Sequence, residues 1–335
     1  MRPLLLALAL AACVPPVDDP AAPPWTPDQP LDDTLRMNQL QAVGTHNSYH
    51  LRPTAEPPPV WDYEHAPLDV QLGDLGVRQF ELDVHWDAEV GAFAVHHVPL
   101  IDAATSCAWL ADCLGTLKVW SDAHRGHHPL MLLIEPKDEV SAWQQEDFLA
   151  ALDRELLAVW PEERLITPTE LRGDHATLRE GVVAGGWPTL GASRGRMIVQ
   201  LHTGGPLAEA YTAGWTSTAR PLFTDVPPAD PFAAFVAIND AVGDFDLIQA
   251  SVAEGLLVRT RADSDRSDFE DGDRSRLEAA LASGAQAVST DHPSPDEATG
   301  YVVQIPGGTP SRCNPLTAPA ECTSEAIEDP GELGP

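Results

Sequence analysis

Residues 77–84 read Val-Arg-Gln-Phe-Glu-Leu-Asp-Val, an apolar run that predicts a buried β-strand and yet carries two carboxylates. Side chains two residues apart lie on the same face of a strand, so Glu81 and Asp83 share a face with His85, two residues further on. Buried carboxylates are costly unless they are paired or bound to a metal ion. The stretch therefore predicts a core strand that also supplies a functional site.

Similar runs recur along the chain. The other candidate strands are residues 40–43, 93–97, 130–134, 197–201, 247–250, 256–259 and 287–290. Several are continuously apolar, as expected for parallel strands that are buried on both faces. Helices are predicted at residues 145–159, where apolar side chains recur every three or four positions, and at residues 274–282, followed by Gly284.

This alternation of strands and helices predicts an α/β fold, a single (β/α)8 TIM-type barrel, regular or irregular, over residues 35–325. An open doubly wound sheet is the alternative, although no glycine-rich nucleotide-binding motif follows a strand. Active sites of such barrels lie at the carboxyl ends of the strands. Polar residues at those ends are therefore the candidates for a functional site.

The charge of the chain excludes one class of partner. Its 335 residues include 20 Lys and Arg against 51 Asp and Glu, which gives a formal net charge of −31. A nucleic-acid-binding protein needs a basic footprint, so no nucleic-acid partner is expected. The same charge opposes electrostatic adsorption to an anionic bilayer.

The N-terminus has the pattern of an export signal. Met1 and Arg2 are followed by a short apolar run that ends at Cys13. We expect residues 1–12 to be a lipoprotein-type signal peptide and Cys13 to be lipidated; an ordinary signal peptide and a secreted soluble protein are the alternative. Residues 13–34, rich in Pro and Asp, are predicted to be a tether, and residues 326–335 an acidic tail. The expected location is that of an exported bacterial lipoprotein anchored to a membrane or cell surface.

The four remaining cysteines are expected to form disulfides, because an exported chain meets an oxidising compartment. They are Cys107, Cys113, Cys313 and Cys322. Three connectivities are open, and the two short loops, one of them stapling the C-terminal tail, are the simplest. Neither pair has the closer spacing typical of zinc ligands.

Four oxygen-bearing side chains are expected together at the carboxyl ends of the strands: Asn47, Glu81, Asp83 and Glu135. Oxygen ligands are the preference of Ca²⁺ or Mg²⁺ rather than Zn²⁺. Two histidines, His46 and His97, would flank the ion. Such a set can cleave a phosphodiester, because a metal screens the phosphate while imidazoles stabilise charge and protonate the leaving oxygen.

The order of these motifs resembles the catalytic X-box half of phosphoinositide-specific phospholipase C, and more closely its bacterial Ca²⁺-dependent secreted branch. The similar segments are residues 44–49, 78–84, 97–99, 133–137, 195–199, 258–263, 289–291 and 312–315. The resemblance implies Ca²⁺ as the cofactor and cleavage of phosphatidylinositol-type phosphodiesters to diacylglycerol and a cyclic inositol phosphate, which water then opens.

The resemblance also implies roles for individual residues. The Ca²⁺ ligands are Asn47, Glu81, Asp83 and Glu135. His46 stabilises the pentavalent transition state, and Glu81 helps to deprotonate the inositol 2-hydroxyl. His97 is the general acid for the leaving diacylglycerol; a shift to His96 is the alternative, and His97 is preferred because Val98 and Pro99 follow it.

Two cationic residues are expected to contact the substrate. Lys137, one of two lysines in the chain, is one of them; pairing with Glu135 or Asp138 is the alternative. Of Arg259 and Arg261 we expect only one to face the lumen, and assign Arg261 to the phosphate or inositol. No protein partner is predicted. The competing functions are a glycerophosphodiester phosphodiesterase and a non-catalytic surface lipoprotein that binds Ca²⁺ or inositol.

Overall fold

The computed structural model describes residues 29–54, 57–213, 219–264, 266–308 and 310–329. The predicted signal peptide, the lipidation site at Cys13, most of the predicted tether and residues 330–335 of the predicted tail lie outside these ranges. Within them, none of the helices combines the length and the apolar composition that crossing a bilayer requires.

Strands of one sheet form the wall of the molecule. In chain order they are β1 (Leu40–Thr45), β2 (Gln79–Asp87), β3 (Ala92–Val95), β4 (Leu130–Pro136), β5 (Met197–Leu201), β6 (Phe223–Thr224), β7 (Phe235–Asp240), β8 (Leu257–Arg261), β9 (Ala287–Thr290) and β10 (Ser311–Cys313). Eight of them run in the order β6-β5-β4-β2-β1-β9-β8-β7 with parallel pairing, while β3 and β10 pair antiparallel with β2 and β1. The predicted α/β barrel is confirmed as a nearly closed TIM-like barrel.

Helices cover the outside of this wall. They are α1 (Leu68–Gly73), α2 (Leu110–Ala123), α3 (Gln145–Val159), α4 (Pro168–Arg172), α5 (Leu178–Glu180), α6 (Leu190–Ser193), α7 (Gly205–Ala213), α8 (Phe245–Ala253), α9 (Ser275–Ala282) and α10 (Ser324–Ile327). The helix predicted at residues 145–159 has the bounds expected. Gly284 follows α9 with a φ of 80°, the left-handed conformation that glycine adopts at helix ends.

Two strand predictions need correction. Residues 247–250 lie in α8, because the buried residues of this segment, Ile248, Ser251 and Val252, recur at helical spacing. The run at residues 93–97 forms a strand only as far as Val95, and this strand makes an antiparallel hairpin with β2 instead of a barrel wall. The short strands β6 and β10, and β7, were not predicted.

The two faces of β4 explain how the barrel receives acidic side chains. Leu132 and Ile134 pack in one apolar cluster with α2 and α3, whereas Met131 and Leu133 belong to a second cluster. Glu135 continues the series of Met131 and Leu133, because side chains two apart share a face. Asp83 of β2 lies directly opposite Glu135 in the ladder. Both carboxylates therefore reach the same end of the barrel interior.

Side chains cross the space between β6 and β7, the two ends of the strand order. Oδ1 of Asp225, which follows β6, accepts the backbone N–H of Ala237 in β7 at 2.9 Å. Nε2 of Gln200 in β5 donates to the carbonyl of Phe235 in β7 at 2.6 Å. These bonds satisfy backbone groups of β7 that β6 does not pair. A buried backbone N–H or carbonyl needs such a hydrogen-bond partner.

Two disulfides staple the outer segments, with the short-loop pairing that was expected. Cys107 and Cys113 have Cα atoms 5.4 Å apart, and Cys313 and Cys322 have Cα atoms 6.0 Å apart. The second disulfide joins β10 to the segment that precedes α10. It holds the C-terminal tail against the barrel.

Both described ends of the chain dock at the amino-terminal end of the barrel strands. Nη2 of Arg194, just before β5, lies 2.7 Å from Oδ1 of Asp32. Arg78, just before β2, pairs with the buried carboxylate of Glu328. That carboxylate also accepts the N–H of His128, just before β4, at 3.0 Å. Residues 29–35 and 326–328 are therefore packed against the pole of the barrel opposite to the carboxyl ends of its strands.

Candidate active site

The predicted site residues gather at the carboxyl ends of the strands. His46 and Asn47 follow β1 directly, and Ser48 locks this turn onto β2, because its Oγ accepts the N–H of Glu81 at 2.8 Å. Asn47 has a φ of 44°, a left-handed conformation that asparagine tolerates better than most residues. The sharp turn brings the β1 residues beside the β2 carboxylates.

The imidazole of His46 lies between two carboxylates. Its Nδ1 is 2.8 Å from Oδ1 of Asp291, and its Nε2 is 4.0 Å from Oε1 of Glu81. The other oxygen of Asp291 accepts from Nη2 of Arg261 at 2.8 Å. Burial, with the positive charge of Arg261 beside it, lowers the pKa of His46 well below its ordinary value. The neutral ring donates from Nδ1 to Asp291 and presents Nε2 as an acceptor.

Glu81 is held as a carboxylate by a buried arginine. Burial by itself would raise the pKa of Glu81, but the guanidinium of Arg259, bonded to its Oε2, outweighs burial and lowers that pKa to about 2. The expectation that only one of Arg259 and Arg261 faces the lumen is wrong. Residues two apart share a face of a strand, and both guanidinium groups reach the site.

Lys137 bridges the two other predicted carboxylate ligands. Its Nζ lies 3.0 Å from Oδ2 of Asp83 and 2.7 Å from Oε1 of Glu135. Burial raises the pKa of Asp83 to about 8, although Lys137 acts in the opposite direction. Burial therefore disfavours the charged form of Asp83, and a cation bound beside it would favour that form.

The general-acid candidate His97 also has a carboxylate behind it. Nδ1 of His97 lies 2.6 Å from Oδ2 of Asp102, and Oδ1 of Asp102 lies 2.9 Å from Nε2 of the buried His50. His96 has a different environment, because it stacks on His85 with ring centroids 4.1 Å apart. Of the two neighbouring histidines, the geometry of a supported proton donor belongs to His97.

Sequence reasoning missed several residues of the site. Asp102 and Asp291 support the two histidines, and Arg259 neutralises Glu81. His202, at the end of β5, places a ligating atom within 4.8 Å of ligating atoms of both Glu81 and Glu135. Asp291 and His202 were visible as polar ends of predicted strands, whereas nothing in the local pattern around Asp102 distinguishes it from a surface acid.

The donor set fits a hard divalent cation. Glu81 and Glu135 converge, Asp83 lies opposite Glu135, and all the predicted ligands offer oxygen. The amide oxygen of Asn47 is buried without a hydrogen-bond partner among the described residues, although its Nδ2 donates to the Tyr63 hydroxyl at 3.2 Å. A buried acceptor left in this way is what a bound cation would satisfy.

A cavity of about 430 Å³ lies beside Asp291, the carboxylate bonded to His46. Tyr63, His65 and Asp291 line the side of the cavity that touches the site. Acidic residues line much of the remainder: Asp62, Glu64, Asp296 and Glu297. Arg52, paired with Asp62, is the one Lys or Arg residue among the described lining residues, so the cavity is predominantly acidic.

Comparison with known proteins places the chain in a family. The sequence model of the family described as Ca²⁺-dependent phosphoinositide phospholipase C matches residues 35–96 and 92–315. No curated protein matches the chain.

Solved structures share the fold at low sequence identity. A calcium-dependent phosphoinositol-specific phospholipase C from Pseudomonas sp., in its myo-inositol complex, is 19% identical with a TM-score of 0.63, covering 85% of this chain and 97% of its own. A Ca²⁺-dependent phosphatidylinositol-specific phospholipase C from Streptomyces antibioticus is 19% identical with a TM-score of 0.56, covering 77% and 95%. On the family match, this chain belongs to the Ca²⁺-dependent phosphoinositide phospholipase C family of phosphodiester-cleaving enzymes.

Proposed function

We propose that the chain cleaves phosphatidylinositol-type phosphodiesters to diacylglycerol and a cyclic inositol phosphate, and that it needs Ca²⁺ to do so. One observation carries the proposal. Two histidines, each bonded to its own carboxylate, lie at the end of the barrel where the carboxylates of Glu81 and Glu135 converge and Asp83 lies opposite Glu135. Two such histidines can accept a proton from an attacking hydroxyl and donate a proton to the leaving oxygen of a phosphodiester.

The attacking hydroxyl fits between His46 and Glu81. Their facing atoms are 4.0 Å apart, so a hydroxyl oxygen can lie about 2.8 Å from each. Oε2 of Glu81 is already paired with Arg259, whereas the Nδ1 bond of His46 to Asp291 leaves Nε2 as the acceptor and provides a counter-charge for the protonated ring. We therefore assign the proton of the inositol 2-hydroxyl to His46, with Glu81 orienting the hydroxyl, in place of the role in deprotonation that the sequence resemblance implies for Glu81. The resulting imidazolium, bonded to Asp291, then stabilises negative charge on the pentavalent phosphate, the role expected of His46.

The leaving group departs on the side of His97. The oxygen of the 2-hydroxyl forms the new bond to phosphorus, the bond from phosphorus to the diacylglycerol oxygen breaks, and His97 donates its proton to that oxygen. Asp102 fixes the Nδ1 side of the ring, which leaves Nε2 to donate. Water opens the cyclic phosphate by the reverse path, with His97 accepting a proton and His46 returning one.

The metal would be held by the side chains whose oxygens converge at this mouth: Asn47, Glu81, Asp83 and Glu135. When bound, Ca²⁺ supplies positive charge against the phosphate and lowers the pKa of the attacking hydroxyl. Lys137 and Arg261 stand at the same mouth and are proposed to contact the phosphate or inositol.

The cellular location is a separate proposal. An apolar run with the lipobox-like ending at Cys13 supports an exported lipoprotein, held at a membrane by its lipidated N-terminus. Two disulfides in the folded part agree with an oxidising compartment. Labelling of the expressed chain with a radioactive fatty acid, with Cys13→Ser as the control, tests the anchor.

The function is tested by mixing the full chain with phosphatidylinositol in detergent micelles and following ³¹P signals of cyclic and open inositol phosphates. We expect release of the cyclic product with Ca²⁺ and none with excess chelator. Release that survives chelation would contradict the metal requirement. Cleavage of glycerophosphodiesters without any cleavage of phosphatidylinositol would contradict the substrate class.

A further inference from the structure

We propose that His202 forms, with Glu81 and Glu135, a mixed nitrogen–oxygen site for a d-block divalent cation such as Zn²⁺, which competes with Ca²⁺ for this mouth. The inference rests on the proposed function only in that it shares two of the proposed Ca²⁺ ligands. Its own evidence is the position and the support of His202, which has no part in the reaction as proposed.

The donor atoms are already close together. One ligand atom from each of Glu81, Glu135 and His202 lies within 4.8 Å of the other two. Ligand atoms around a tetrahedral Zn²⁺, each about 2.0–2.2 Å from the ion, are about 3.3–3.6 Å apart, so each of the three ligand atoms must move by up to about 0.7 Å to reach a common ion. Two carboxylates and one imidazole, with open positions left for water, form a donor set that zinc and related ions accept.

The imidazole of His202 also has a hydrogen bond that is typical of metal-ligating histidines. Nδ1 of His202 lies 2.9 Å from Oδ2 of Asp225, and Oδ1 of Asp225 is fixed by the N–H of Ala237 at 2.9 Å. A carboxylate bonded to the far nitrogen fixes the tautomer and raises the basicity of the near one. His202 therefore presents Nε2 towards Glu81, and Asp225 is itself held by the barrel seam.

The two cations that pair with Glu81 and Glu135 leave one oxygen of each carboxylate for an ion. Arg259 bonds Oε2 of Glu81, and Lys137 bonds Oε1 of Glu135, so each carboxylate keeps its second oxygen. His202 adds a ligand that carries no negative charge. A soft-to-borderline ion gains from this nitrogen, whereas Ca²⁺ prefers the amide and carboxylate oxygens of Asn47 and Asp83.

Both Ca²⁺ and a d-block cation would use Glu81 and Glu135. The two ions therefore cannot be bound at the same time. An ion held by His202 draws the Glu81 and Glu135 carboxylates towards β5, and Ca²⁺ then lacks two of its four proposed ligands. A d-block cation should therefore displace Ca²⁺ and act as an inhibitor. Asp83 belongs to the Ca²⁺ mode alone, and His202 to the d-block mode alone, which gives the experiment two variants with opposite effects.

Calorimetric titration of the full chain with ZnCl₂ and, separately, CaCl₂ tests the proposal. His202→Gln should weaken Zn²⁺ binding at least tenfold and change Ca²⁺ binding less than threefold, in the range seen for lost metal-site contacts. Asp83→Asn should do the reverse. His175→Gln, an exposed histidine, is the matched control and should change neither.

The native chain supplies a readout that needs no variant. With ¹⁵N-labelled histidine, Zn²⁺ should shift the Nε2 resonance of one histidine, and added Ca²⁺ in excess should reverse the shift. Equal Zn²⁺ affinity in the native chain and His202→Gln, or Zn²⁺ and Ca²⁺ bound independently, would overturn the proposal. Loss of Zn²⁺ competition with intact Ca²⁺-dependent cleavage would remove this site alone, whereas absent cleavage with the expected Zn²⁺ behaviour would remove the proposed function alone.

Discussion

Oδ2 of Asp102 lies 2.6 Å from Nδ1 of His97, and Asp102 is the last residue of the five-residue turn at residues 98–102. The backbones of Val98 and Asp102 bond each other twice, at 2.9 Å, which places the carboxylate beneath the imidazole. The tip of this turn is exposed, with Leu100 at 98% of its free surface. The backbone bonds at the base of the turn therefore hold the Asp102 carboxylate in place beside the His97 imidazole.

Asp102→Asn should affect the general-acid step selectively. The amide cannot stabilise an imidazolium at His97 as a carboxylate does, so we expect kcat on phosphatidylinositol to fall about 10²-fold or more. An inositol phosphodiester with a nitrophenol leaving group needs little protonation and should lose far less. Steady-state kinetics on both substrates measure the difference, and equal losses would sink the assigned role of the pair.

Lys137→Met should tighten Ca²⁺ binding. The ammonium lies 2.7 Å from Glu135 and 3.0 Å from Asp83, so it repels a cation bound by the same carboxylates. We expect about a tenfold gain in Ca²⁺ affinity, together with a higher KM for the phosphate substrate. Lys118→Met is the matched control, since the other lysine of the chain pairs with Asp122. Weaker Ca²⁺ binding in Lys137→Met would contradict this reading of the site.

Glu81→Gln should abolish turnover, weaken Ca²⁺ binding and destabilise the barrel. The change leaves Arg259 buried without its carboxylate, a loss that costs about 3–5 kcal/mol in the free energy of unfolding. Denaturant unfolding and calorimetry measure the two effects separately. The control is Glu89→Gln, an exposed acid between β2 and β3. Unchanged kinetics in Glu81→Gln would remove this residue from the site.

Glu328 should make folding stability depend on pH. Burial would raise the pKa of Glu328, but Arg78 and His128 lower it to about 2, below its ordinary 4.5. The unfolded chain therefore binds the proton more readily, and the stabilisation is present above about pH 5 and lost as pH falls from 4.5 towards 2.

Glu328→Gln removes this dependence. We expect the variant to be less stable at pH 7 by about 3–5 kcal/mol, because Arg78 keeps no buried counter-charge, and the gap from the native chain to narrow near pH 3. Urea unfolding at both pH values measures it, with the exposed Glu325→Gln as the control. A gap that stays constant with pH would show that the Glu328 carboxylate is not the group that titrates.

Local periodicity was enough to predict the barrel, and together with the strand ends it was enough to predict that the candidate ligands lie near one another. Alternation along residues 77–84 placed Glu81 and Asp83 on one face, and the ends of the strands placed His46, Asn47 and Glu135 nearby. The same reasoning failed at residues 247–250, where a short apolar run fits either a strand or a helix. It also failed for Arg259. Residues two apart lie on the same face of a strand, but Arg259 and Arg261 were expected on opposite faces.

The contacts of the supporting groups could not be predicted, because most of these contacts join distant parts of the chain. Arg259 reaches Glu81 across 178 residues, and Asp291 reaches His46 across 245. Nothing in the sequence near any of them reports the contact. Asp102 is close in sequence to His97, but its role depends on a turn whose backbone bonds become visible only in three dimensions.

The ion pair between Asp32 and Arg194 also determines where the first described residues lie relative to the site. It fastens the incoming chain to one pole of the barrel, while His46 and His97 open at the other. The first described residues therefore occupy the pole opposite the two histidines, and their contacts do not cover the carboxyl ends of the strands.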